Sequence, residues 1–167
     1  MNLGFKNRKG NVVLDSMMVL IVLVVFGIIS VLAYITMNDL TTDIVADPDI
    51  SDATKDNLSS LNSRMPSTLD GAFALALGLL WLLVIVSSFL IDAHPAFFIV
   101  SIILLIALLF AASLISNAYE EFETDAEYSS AASEFPMTSY IMKNFLIVIL
   151  IIGGSVALVL FGKNRLT

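Results

Sequence analysis

Few residues in this chain are of types and spacings that could do chemistry. The turn Asp92-Ala93-His94-Pro95 holds the one acid–histidine pair close in sequence. A histidine titrates near neutrality and could switch charge there. A helix start explains the same residues: Asp92 as N-cap, Pro95 in the first turn. The acids of NAYEEFETDAEYSSAASEFPMTS could suggest a divalent cation. They lack the glycine turn and alternating ligands of a calcium loop, so a solvated acidic face is expected. Ser30, Ser87, Ser88, Ser101, Ser113 and Ser155 are hydroxyls inside apolar runs, where serine usually bonds its own helix backbone. The chain has no cysteine and a single histidine, His94. Thiol chemistry and a multi-histidine metal site within one chain are therefore excluded. No GxSxG, HExxH, P-loop or CxxC pattern occurs. The expectation is no catalytic, cofactor-binding or metal-binding residue, and no enzyme.

The elements around these residues are apolar and long. Of 167 residues, 58% are hydrophobic and 14% charged, against about 45–50% and 25% in soluble domains. The stretch that organises the chain is 71–116. Two uncharged runs, GAFALALGLLWLLVIVSSFL and AFFIVSIILLIALLFAASLIS, flank the turn IDAHP. At about 1.5 Å per residue each run crosses a hydrocarbon core of roughly 30 Å. So short a turn predicts antiparallel neighbours, a tight helical hairpin. Apolar runs at 16–36 and 145–161 add two more spans. The reading is all-α: one polytopic membrane domain over 1–167, with four transmembrane helices at 16–36, 71–91, 96–116 and 145–161.

Small residues let helices approach closely in lipid. Gly71, Ala74 and Gly78 on the second span, Ala107 and Ala111 on the third, and Gly153 and Ala157 on the fourth are the expected packing positions. Gly78 and Ala107 are expected to share one seam. Trp81, central in its span, reads as a packed aromatic.

Two acidic polar loops separate the spans, at 38–70 and 117–139. Asp47-Pro48-Asp49 should break any helix coming from the first span. A short helix is expected over 51–65, with Ser51 as N-cap, ended by Pro66; Ser67 or Asp70 would cap the second span. The third helix could run on beyond the membrane, since Ala118, Phe122 and Ala126 recur every four residues. Pro136 closes the second loop, Thr138 or Ser139 caps the fourth helix, and Lys143 snorkels to the interface.

Four spans put both termini on one side. Lys6, Arg8, Lys9, Lys163 and Arg165 lie there, five of eight bases, while thirteen of fifteen acids lie opposite. Bases beside spans predict cytoplasmic termini and outward acidic loops. Asp15, Asp92 and His94 are then the interfacial polar residues.

Two resemblances bear on function. Gly10, preceded by Lys and Arg and followed five residues on by Asp15, resembles the processing site of type IV pilin-like precursors, which implies a secretion-linked component. Those precursors carry Glu at the fifth position and one apolar helix, so Gly10 is expected to stay uncleaved here. The segments GNVVLDSMMVLIVLVVFGIIS, IDAHPAFFIVSIILLIALL and SNAYEEF resemble small integral membrane proteins encoded by bacteriophages, those with an internal virion membrane among them. That resemblance implies a virion-membrane or host-membrane role without catalytic residues. The expected partners are the lipid bilayer and itself or another membrane protein, with no cofactor. The function expected is a structural or accessory membrane subunit. A holin-like oligomeric pore is the alternative, along with the pilin-like component.

Overall fold

The computed structural model describes residues 12–90 and 95–166. Gly10, Asp92 and His94 lie outside the described residues, and Asp15 lies on the first helix with its side chain outside the description. Six helices and no strand occur among the described residues: α1 (Val12–Ala46), α2 (Asp52–Leu90), α3 (Pro95–Thr124), α4 (Ser129–Ser133), α5 (Pro136–Lys143) and α6 (Phe145–Leu166). Three helices are long and apolar enough to cross a bilayer, within Leu20–Ala46, Asp52–Phe89 and Ile102–Thr124; α5 and α6, bent by 73°, make a fourth when taken together. Apolar helices of this kind fit an integral membrane protein.

The polar segments are more helical than the sequence suggested. α1 continues ten residues past 36, and Asp47-Pro48-Asp49 does end it. Ser51 then caps α2: the N–H of Thr54 reaches the Ser51 carbonyl at 3.0 Å and its hydroxyl at 3.4 Å. Pro66 does not stop that helix, which runs unbroken for 39 residues. Proline lacks an N–H and crowds the carbonyl four residues back, a local cost of about 3 kcal/mol. Contacts outside the helix offset it. Pro66 is buried, Leu69 packs against the cluster of Val31 on α1 with Ala131, Ala132 and Phe135, and the Asn62 amide donates to the Asn38 side chain at 2.9 Å. The hydroxyls of Ser67 and Thr68 also bond the Arg64 carbonyl. The expected loop at 38–70 is thus mostly an antiparallel helical hairpin that carries α1 and α2 beyond the bundle.

The second polar segment folds back instead of looping freely. α3 extends to Thr124, as the four-residue spacing suggested, and α4 and α5 follow. Ala131, Ala132 and Phe135 are buried against Val31 of α1, with Tyr34, Ile35 and Phe122 around them. The last apolar turns of α1 therefore cover this cap.

α1 packs along α2, and α3 packs along α6, which also touches α2; among the described residues, α2 and α3 are not a principal packing pair. The shared core joins Leu20, Leu23 and Val24 of α1 to Phe73 and Leu77 of α2, Ala112 and Tyr119 of α3, Met142 of α5, and Phe145, Ile149 and Ile152 of α6. The seam expected between Gly78 and Ala107 does not form. Gly78 meets nothing within 4 Å of its Cβ position, and Ala107 is exposed. The reason is α6, whose apolar face takes the place beside α2 that the short turn had suggested for α3.

Candidate functional site

The densest set of polar contacts surrounds α5. Its N-terminus has no cap of its own, because Phe135 at the N-cap offers no oxygen side chain. Pro136 opens the first turn, where a missing N–H costs nothing. The next two N–H groups need acceptors, and Asp70 of α2 supplies both. Its Oδ2 accepts from Met137 at 2.9 Å and its Oδ1 from Thr138 at 2.6 Å. Asp70 is 4% exposed. A carboxylate at a helix N-terminus meets the positive end of the dipole, and hydrogen bonds to an ionised group are the stronger kind. Asp70 was expected to cap the membrane part of α2; it lies inside that helix and caps another one.

Below this clamp the main chain of α1 comes close. A Cβ at Gly27 would lie 3.1 Å from the Phe73 ring and 3.2 Å from the Thr138 methyl. Phe73 and Thr138 are both fully buried, so neither can give way. Gly27 was not among the expected packing residues. Its neighbours four positions away are Leu23 and Val31, and a search for paired small residues passes over it.

The other side of α5 is tied to α3. The Ser139 hydroxyl donates to the Ala132 carbonyl at 3.2 Å. It therefore accepts from the Tyr119 hydroxyl at 3.0 Å. Ser116 donates to the Lys143 carbonyl at the end of α5. Lys143, expected to snorkel, pairs with Glu123 at 2.8 Å. Thr138 and Ser139, expected to cap the fourth helix, instead lie in α5 facing inward. Aromatic rings close the surroundings: Tyr34 meets Phe135 edge-on at 5.8 Å, and Phe122 stacks on Tyr128 at 4.8 Å.

A second polar contact lies deeper. The Trp81 indole N–H donates to the Ser155 hydroxyl at 3.0 Å, and that hydroxyl donates to the Ile152 carbonyl at 2.7 Å. Trp81 is half-exposed, not enclosed, because it borders an open apolar cleft of about 220 Å³ between α2 and α6. Ala74 and Gly78 line that cleft with Val148 and Ile151. Gly153 receives Leu105 of α3 in close contact, whereas Gly71 and Gly154 meet nothing within 4 Å. Ala111 and Ala157 are partly buried, and it is Ala112 that enters the core.

These arrangements join one helix to another. Asp70 spends both oxygens on main-chain N–H groups. Ser30, Thr41 and Ser88 donate to carbonyls four residues back, the pattern expected for hydroxyls in apolar helices. Ser101 lies on α3 with its side chain outside the described residues. Among the described residues no three His, Asp or Glu side chains are grouped to hold a metal ion. No family model, curated protein or solved structure matches the chain.

Proposed function

We propose that this chain is a non-catalytic integral membrane protein, a structural or accessory subunit of a larger membrane assembly. The supporting observation is the use made of Asp70. Among the described residues Asp70 is the one buried acid, and it is spent on joining α2 to α5. In this reading α1, α2, α3 and α6 cross the bilayer. The termini are cytoplasmic, and both acidic segments stand on the outer side. Contacts of α4 and α5 with α1 and α2 gather those segments at one end of the bundle, which supports a common side. The resemblance to bacteriophage membrane proteins extends the proposal to a virion or host membrane.

Purification in mild detergent followed by mass spectrometry tests the assignment. A stoichiometric larger partner is expected. A homo-oligomer alone that also releases dye from lipid vesicles would overturn the accessory role in favour of the pore. An intact mass lacking residues 1–10 would favour the pilin-like component.

A further inference from the structure

We infer that α5 is an in-plane anchor that seats Met137 and Tyr140 in the lipid headgroup layer. The inference rests on the membrane reading above and adds a depth and an orientation to it.

Both ends of α5 are pinned at the height where neighbouring helices change character. Its first turn is held by Asp70, the residue immediately before the uncharged run of α2. Its last carbonyl is held by Ser116, which ends the apolar run of α3 four residues before its first charge, Glu120. The elbow after Lys143 turns α5 by 73° from α6. The uncharged part of α6, from Phe145 to Gly162, has a length of about 27 Å, close to the hydrocarbon thickness of a bilayer. With α6 near the membrane normal, α5 lies near the membrane plane.

The two faces of α5 differ as this placement requires. Thr138, Ser139 and Met142 are buried inward. Met137 and Tyr140, three residues apart and so on one face, are 54% and 71% exposed. An apolar residue beside a tyrosine is poorly placed in water but well placed at the boundary of headgroups and acyl chains. Tyrosine is enriched there because its ring is apolar and its hydroxyl polar.

The absence of native cysteine allows single-site labelling. Tyr140→Cys and Met137→Cys each receive a nitroxide in phosphatidylcholine vesicles. Leu61→Cys on the projecting hairpin and Leu150→Cys on α6 serve as references; all four positions are exposed and outside the packed core. Collision with oxygen and with a water-soluble nickel chelate gives the depth of each label. The expected result is that labels at 137 and 140 fall between the two references, with severalfold less chelate access than at 61. Chelate access at 140 equal to that at 61 would overturn the anchor and leave the membrane reading intact. A depth at 140 equal to that at 150 would overturn it as well. If the label at 150 itself behaves like that at 61, the membrane reading fails, and the anchor with it.

Discussion

The Asp70 carboxylate accepts the main-chain N–H of Thr138 at 2.6 Å, across 68 positions of sequence. That bond and its twin to Met137 join the middle of the longest helix to the start of the elbow. Asp70→Ala leaves two main-chain donors without an acceptor in a buried site, a loss of about 1–3 kcal/mol. Asp70→Asn keeps an acceptor oxygen for one donor and should lose less. Thermal unfolding in detergent should rank native above Asn above Ala. Equal midpoints for native and Ala would remove the clamp from this account.

Gly27 and Gly78 should respond oppositely to the same change. Gly27→Leu forces a side chain between Phe73 and Thr138, at a cost of about 1–3 kcal/mol for overpacking. Gly78→Leu points into the open cleft beside α6 and should be close to neutral. Detergent unfolding of the two variants checks this. If Gly78→Leu proves the more damaging, helix packing follows the small-residue stripes and not the contacts described.

These two glycines show how far the sequence could be read. Gly78 stands out by its spacing from Gly71 and Ala74, yet spacing names a stripe and not the helix that fills it. The helix across the cleft from Gly78 is α6, brought there by the folding back of 125–144, which no local pattern announces. Breaks were legible where the chain itself enforces them: Asp47-Pro48-Asp49 ends α1, and Ser51 caps α2. Pro66 was misread because its local cost is outweighed by packing from α1 and α4. Asp70 carried a visible signal, a lone acid before an apolar run, but its partners lie in another segment.

The single tryptophan gives a direct probe of the α2–α6 contact. Ser155→Ala removes the acceptor of the Trp81 indole N–H. Interhelical hydrogen bonds in membranes average about 0.6 kcal/mol, so stability should fall only slightly. Trp81 emission should move to shorter wavelength as the indole loses its polar partner. An unchanged spectrum would mean that the bond does not form in the protein in lipid.

Ser59 on α2 and Ser130 on α4 are both exposed and both at the acidic end. Cysteines placed at these two positions should react equally with an impermeant maleimide on intact cells. Labelling of one alone, with the other reached only after permeabilisation, would separate the two acidic segments and contradict the shared end.

The α1–α2 hairpin gives the molecule reach. From Asp70 back to Asp52 the helix covers about 27 Å, so on the proposed placement the aspartates at 47, 49 and 52 stand well clear of the lipid. The field of an anionic lipid surface fades within roughly 8–10 Å at physiological salt. The tip therefore lies about three screening lengths out, beyond the influence of the lipid charge below it. Whatever meets it there meets a short rigid mast whose charge is its own.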